Sequence, residues 1–225
     1  MNKILLFALT LIFSFQLSAQ SDKYVKMMEK QVSILDSART KATLTKLSNT
    51  FQRIANAEKE EWLPNYYQAY CQFRLANIAM QTGDINTCNA HIDNAQAALD
   101  LAKAVKKEDA EIYALQALIY QGRIWENPMS KGAEYSPLSH AETDKALALN
   151  PNHPRALYIK GQNIFYTPEF FGGGMKNAHP LLKAALASFN QFEVESSIHP
   201  RWGQSTNEYL LAKAEEKLAD NGKND

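Results

Sequence analysis

The segment Lys145-Ala-Leu-Ala-Leu-Asn-Pro-Asn152 decides the fold class of this 225-residue chain. It is typical of the end of a helix and the tight turn that follows. Pro151 and Pro154 bracket the start of the next helical pattern, which begins at Arg155. The segment therefore predicts two successive helices joined by a short connection.

Helical periodicity extends from this segment towards both ends of the chain. Val25, Met28 and Val32, for example, recur at spacings of three and four residues, which place them on one face of a helix. The patterns predict an all-α protein of nine helices. These helices cover approximately residues 22–37, 40–54, 62–80, 84–106, 109–125, 137–149, 155–166, 175–192 and 205–218.

Capping residues support several of these helix starts. Thr40, Asp84, Ser136 and Ser205 each precede a predicted helix, and their side chains can accept hydrogen bonds from its first free N–H groups. Pro180 falls inside the eighth helix unless that helix starts near residue 178, because proline disrupts a helix interior.

The composition excludes several protein classes. Lys plus Arg number 24 and Asp plus Glu number 24, so the formal net charge is zero. Nucleic-acid-binding proteins usually carry a basic surplus, and we therefore expect no nucleic-acid partner. Two cysteines are too few for a disulfide framework or a four-thiolate zinc site.

The N-terminus has the pattern of a secretory signal. Lys3 precedes twelve mostly apolar residues, Ile4 to Phe15, which is too short a run to span a bilayer as a helix. Leu17-Ser18-Ala19 resembles a cleavage site, and Gln20 follows where a lipoprotein would need Cys. Residues 1–19 are thus predicted to be a signal peptide, and the mature chain to be periplasmic or secreted without a stable membrane span. The alternative is an uncleaved anchor.

Small and large residues recur at matching positions in two parts of the chain. The first series is Leu75-Ala76, Gly83-Asp84, Cys88, Ile92 and Ala95, and the second is Gly161, Ala178, Leu182 and Ala185. With the segment at 145–152, this pattern resembles the tetratricopeptide repeat (TPR) superfamily over about residues 63–189. The resemblance implies a right-handed solenoid of antiparallel helix pairs with about three repeats. Its expected parts are an N-terminal helical cap (20–61), the repeats (62–192) and a C-terminal loop with a capping helix (193–225).

One loop carries a second, local resemblance. Residues 166–174, Tyr-Thr-Pro-Glu-Phe-Phe-Gly-Gly-Gly, look like a loop in exported TPR proteins of Gram-negative bacteria. These include the TPR component of TRAP-type solute transporters.

The first helices of the repeats are expected to line a concave groove. Each carries aromatic and polar residues at helical spacing, and such side chains suit a peptide or a small molecule. The candidate groove residues are Tyr66, Tyr70, Phe73, Asn77, Tyr113, Gln116, Tyr120, Arg123, Tyr158, Gln162 and Tyr166. Part of each stripe could instead be core between the repeats, because spacing alone does not orient a stripe.

Two long predicted loops offer another binding surface. They cover residues 126–135 and 167–174, and they lie on one edge of the predicted solenoid. Insertions on one edge often form a binding side. The candidates are Met129, Tyr135, Phe170 and Phe171, although these side chains could also fold back over helix ends.

The sequence shows no catalytic apparatus. Gly-x-Ser-x-Gly and His-Glu-x-x-His motifs are absent, and Cys88 and His91 have no third ligand at helical spacing. We therefore expect no catalytic residues, no metal and no cofactor. Cys71 and Cys88 are expected to stay free, because the predicted helices place them about 9 Å out of register along the helix axis.

Taken together, these features predict an exported TPR-like scaffold that binds a protein or peptide partner in the cell envelope. The alternative is a small-molecule-binding partner of a solute transporter.

Overall fold

The computed structural model of the protein describes residues 22–221, and all regular structure in that range is helical. The predicted signal peptide lies outside the described residues. The helices are α1 (residues 22–37), α2 (Lys41–Ala57), α3 (Leu63–Gln81), α4 (Ile85–Val105), α5 (Ala110–Ile124), α6 (Pro128–Leu149), α7 (Pro154–Tyr166), α8 (Met175–Gln191) and α9 (Gln204–Asn221). A 3-10 turn, Glu169–Phe171, lies between α7 and α8. None of the described helices is long and apolar enough to cross a membrane.

The all-α prediction is confirmed, and two of the predicted caps form. The Thr40 side chain accepts a hydrogen bond from the backbone of Thr43, and Asp84 accepts one from Thr87. Each bond satisfies a backbone N–H of the first helical turn that has no partner within the helix.

The largest difference from the prediction is at the start of α6. The helix begins at Pro128 rather than Pro137, with Asn127 as its capping residue. Most of the predicted loop at 126–135 is therefore helical. Ser136 lies inside α6, where its hydroxyl donates to the Asn163 side chain. An interior proline suggests a helix boundary, yet α6 continues through Pro137, which is solvent-exposed.

The starts of α8 and α9 also bear on the predicted boundaries. Helix α8 starts at Met175 and contains Pro180 in its interior. Helix α9 starts at Gln204, so Ser205 is a helical residue rather than a cap.

Consecutive helices pack as neighbours along the chain. The most extensive packing joins α3 to α4, α5 to α6 and α7 to α8, while α5 also contacts α3 and α7. Small residues permit this close approach. A Cβ atom at Gly161 of α7, for example, would lie 2.9 Å from the Leu182 side chain of α8. Cys71 and Cys88 are both free and buried.

Candidate binding site

A cavity of about 760 Å³ is walled mainly by α3, α5 and α7. Its volume is within the range of sites that hold small molecules. Its lining residues are Arg39, Leu44, Tyr70, Phe73, Arg74, Asn77, Ile78, Gln81, Leu118, Gln121, Ile124, Trp125, Pro128, Tyr158, Gln162, Asn163, Tyr166, Trp202, Gly203 and Thr206.

Aromatic rings dominate the cavity wall. Tyr70 and Trp202 are stacked, with ring centroids 4.6 Å apart and an angle of 17° between their planes. Phe73 contacts Trp125 at 5.4 Å. With Tyr158 and Tyr166, six aromatic side chains from four parts of the chain line one space. Such a wall offers flat apolar surface to a ligand, with polar groups at its edges.

Burial keeps the hydroxyls of Tyr70 and Tyr158 neutral. Burial raises the pKa of Tyr70 to about 12, although nearby Arg74 opposes the shift. Burial also raises the pKa of Tyr158, whose hydrogen bonds with Thr206 and Gln162 act in the opposite direction. Both hydroxyls can therefore donate or accept hydrogen bonds near neutral pH, but they do not supply negative charge.

The amides of the cavity differ in how they are satisfied. Gln121 Nε2 donates to the Ile159 carbonyl at 2.8 Å and so ties α5 to α7. Gln162 Oε1 is buried and has no hydrogen-bond partner among the described residues. A buried acceptor without a hydrogen bond is unfavourable, so Gln162 Oε1 can accept a hydrogen bond from a donor group of a ligand in the cavity.

Among the residues that the structure describes, the charged side chains of the lining are those of Arg39 and Arg74. Arg74 donates to the carbonyl oxygens of Leu35 and Ala38 at the end of α1. Arg39 donates to the carbonyls of Asp36 (3.0 Å) and Ala38 (2.8 Å). The two guanidinium groups thus meet at one backbone oxygen.

A buried ionic network lies behind the aromatic wall. Arg155 is fully buried, and its Nε donates to Glu111 Oε2 at 2.6 Å, while a second bond joins Arg155 Nη2 to Glu111 Oε1. His153 Nε2 lies 3.0 Å from the same Oε1. Burial tends to raise the pKa of Glu111, but Arg155 and His153 outweigh it and lower the pKa to about 2.

Hydrogen bonds connect this network to the cavity wall. Trp202 Nε1 donates to the Tyr66 hydroxyl at 3.0 Å, and that hydroxyl lies 3.4 Å from Glu111 Oε2. The Arg155 guanidinium also lies over the Trp202 ring, 5.9 Å from its centroid. The network therefore fixes the position of one aromatic wall. Sequence reasoning missed it, although a charged residue at a helix position flanked by apolar ones was an available signal for Glu111.

The structure brings together the groove residues predicted on α3 and α7. Tyr70, Phe73 and Asn77 of α3 and Tyr158, Gln162 and Tyr166 of α7 all line the cavity. Tyr66 does not, because it is fully buried beside Glu111.

The expected cavity position of the α5 stripe needs correction. Gln116 is buried, where its Oε1 accepts from Gln96 and Lys103. Arg123 pairs with Asp93 at 2.7 Å. Neither they nor the other two members of the stripe, Tyr113 and Tyr120, line the cavity.

Instead, α5 uses a different face. Leu118, Gln121 and Trp125, the last of them directly after the end of α5, line the cavity at spacings of three and four residues. Both faces therefore have helical periodicity, and spacing could not decide between them.

The predicted edge residues are mostly exposed. Met129, Phe170 and Phe171 are 92%, 90% and 72% exposed, so these three side chains do not fold back over helix ends. Tyr135 is partly buried and contacts Tyr120, with ring centroids 6.0 Å apart. The loop that carries the two phenylalanines is fixed at Gly174, whose N–H donates to the Ile164 carbonyl at 2.9 Å.

Within residues 22–221 no three His, Cys, Asp or Glu side chains are grouped so that they could hold a metal ion.

This chain is similar to a solved structure, that of the HusA haemophore from Porphyromonas gingivalis. The two share 28% sequence identity and superpose with a TM-score of 0.75, over 86% of this chain and 94% of the haemophore. No protein-family model and no curated protein matches the chain. The similarity supports a shared all-helical fold over nearly the whole of both chains.

Proposed function

We propose that this protein is an exported binding protein that holds haem, or a related flat tetrapyrrole, in the cavity between α3, α5 and α7. The observation that carries the proposal is the aromatic wall, in which six rings line about 760 Å³. The similarity to a haemophore supports the same ligand class. Flat aromatic ligands bind well against such walls, because stacking and burial of apolar surface act together.

The wall favours recognition of the ring over ligation of a central iron. Among the described residues, the lining contains no His, Cys or Met. Tyrosine can ligate haem iron, and of the three lining tyrosines Tyr70 has its pKa raised by burial to about 12. The main contribution of the wall is contact with the ring and hydrogen bonds at the edge of the ring.

The finer predictions of architecture and location belong to the same proposal. The packing of α3 on α4, α5 on α6 and α7 on α8 fits a right-handed solenoid of about three TPR-like repeats. The signal pattern in residues 1–19 fits an exported protein that meets its ligand outside the cytoplasm. We propose a binding role without catalysis.

A protein or peptide partner is the second candidate function. It is favoured by the exposed side chains of Met129, Phe170 and Phe171, because apolar groups held in water often belong to interaction surfaces. A small-molecule-binding partner of a solute transporter would instead be a form of the main proposal, and its transporter part rests on the local resemblance of residues 166–174 alone.

Titration with haemin, followed by the change in its Soret absorbance, tests the main proposal. We expect one equivalent to bind per chain. Asn77→Trp should weaken binding about tenfold or more, because Asn77 lines the cavity and the larger side chain would fill space that the ligand needs. The fold should tolerate this change, because the Asn77 side chain bonds to the exposed Gln81 side chain. Asn94→Trp is the matched control, since Asn94 is exposed on α4 and is not part of the lining.

Absence of haemin and porphyrin binding by the folded wild-type protein would contradict the proposal. Equal weakening by both variants would place the ligand outside this cavity. Native mass spectrometry of the purified protein adds a second readout, because a retained peptide would favour the second candidate.

A further inference from the structure

We infer that the ligand carries two carboxylates on one edge and that Arg39 and Arg74 bind them. The inference rests on the proposed function, since it assigns the chemistry of one end of the same cavity. It adds a charge requirement that the aromatic wall does not impose.

The first argument is the pairing of the two arginines. No acidic side chain among the described residues forms an ion pair within 4 Å of Arg39 or Arg74, whereas Arg123 and Arg155 each have such a partner. The Asp36 carboxylate attracts both arginines electrostatically, but it forms no ion pair within 4 Å with either of them. The cavity wall therefore presents two positive charges without an ion-paired counter-charge in the described part of the chain.

The second argument is geometric. Arg39 and Arg74 both donate to the Ala38 carbonyl, which brings the two guanidinium groups to one end of the cavity. A guanidinium has five N–H donors, and the backbone carbonyls at the end of α1 occupy only part of each set. The remaining donors suit carboxylates, which arginine binds with two parallel hydrogen bonds.

The third argument is the electrostatic balance of the site. Two like charges that share one oxygen repel each other, the single Asp36 carboxylate near both offsets part of that repulsion, and a bound dianion offsets more of it. The rest of the lining has no charged side chain among the described residues. A ligand that fits is therefore flat and apolar with both charges on one edge. Haem and protoporphyrin IX, each with two carboxylates on one edge, have this form.

The test compares protoporphyrin IX with its dimethyl ester, which keeps the ring and removes both charges. Each probe is titrated into wild-type protein and into Arg39→Gln, with quenching of tryptophan fluorescence as the readout, since Trp125 and Trp202 line the cavity. Arg39 is exposed, and its described hydrogen bonds are local. Arg53→Gln is the matched control, because Arg53 is exposed on α2 and does not line the cavity.

We expect Arg39→Gln to weaken binding of the diacid about tenfold and to leave binding of the diester unchanged. Comparing wild type with variant for each probe separately cancels the different hydrophobicity of the two probes. Arg74→Lys is a second variant, because it keeps the positive charge and removes the paired N–H donors of the guanidinium group. It should weaken binding of the diacid more than binding of the diester. Arg53→Gln should change neither affinity.

Equal binding of diacid and diester by wild-type protein, with equal effects of Arg39→Gln on both, would overturn the inference and leave the proposed function standing. Failure of both probes to bind the wild-type protein would overturn the proposed function and the inference with it. An Arg53→Gln effect as large as that of Arg39→Gln would show a general attraction of charge and overturn the assignment to these two arginines.

Discussion

Two regions of the molecule use arginine in opposite ways. Arg155 is fully buried and bonded to Glu111 through two of its nitrogens. Arg39 and Arg74 line an open cavity, and neither forms an ion pair with an acidic side chain of residues 22–221. The difference teaches that the partner of an arginine, rather than the residue type, decides what becomes of its charge: a buried carboxylate pairs with Arg155, whereas Arg39 and Arg74 bond to backbone carbonyls, through which Arg74 also ties α3 to the end of α1.

Position in the fold explains why the two regions diverge. Arg155 starts α7 and reaches Glu111 at the start of α5, so the pair joins two helices that both wall the cavity. Arg39 lies in the short link between α1 and α2, where water can solvate it. A buried charge without a partner is strongly unfavourable, whereas a partly solvated one is tolerated until a ligand arrives.

The largest expected effect comes from breaking the buried pair. Arg155→Met should lower the free energy of unfolding by about 3–5 kcal/mol, because it leaves the Glu111 carboxylate buried beside an apolar side chain. Urea unfolding followed by circular dichroism measures the change. Arg123→Met is the control, because its partner Asp93 is well exposed, and it should cost at most about 1 kcal/mol.

A double variant makes this prediction sharper. Glu111→Leu with Arg155→Met should recover much of the stability lost in Arg155→Met, since no unpaired charge then remains. If Arg155→Met alone unfolded no more readily than Arg123→Met, the buried pair would not be what holds α5 to α7.

Acid should act on the same pair. The pKa of Glu111 in the folded protein is about 2, below its ordinary value of 4.5. Its carboxylate therefore contributes stability above about pH 4.5, and that contribution is lost as the pH falls towards 2. The loss should approach about 3 kcal/mol, at about 1.4 kcal/mol per pKa unit. Urea unfolding at a series of pH values measures it. Glu111→Gln should lack this acid-dependent loss of stability. If the free energy of unfolding fell equally steeply with pH in both proteins, the loss would not come from Glu111.

The comparison also shows what the sequence could predict. Periodicity and caps predicted the helices, because burial of an apolar stripe is local information. The stripes named on α3 and α7 include Tyr70 and Tyr158, which line the cavity, but also Tyr66, which does not. On α5 two faces have the same spacing, and only packing against α3 and α7 selects the one with Gln121.

The two arginine sites were beyond sequence reasoning for a different reason. Arg155 and Glu111 are 44 residues apart, and Arg39 and Arg74 are brought together by the end of α1. No local pattern encodes such a meeting. Helix α6 shows the reverse error, since Pro137 gave a local signal for a boundary that the packed helix does not obey.

The smallest expected effect on stability is at the cavity. Arg39→Gln should change the free energy of unfolding by no more than about 0.5 kcal/mol, because Arg39 is exposed and its described hydrogen bonds reach only Asp36 and Ala38 nearby. Urea unfolding of the ligand-free protein checks this value. With protoporphyrin IX present, the wild type should gain more stability than Arg39→Gln, since at one free ligand concentration c the tighter-binding protein is stabilised more, by RT ln(1 + c/Kd). If Arg39→Gln lowers the free energy of unfolding only when the ligand is present, Arg39 belongs to the ligand site. A loss of several kcal/mol in the free protein would instead place Arg39 with Arg155, among the residues that hold the fold.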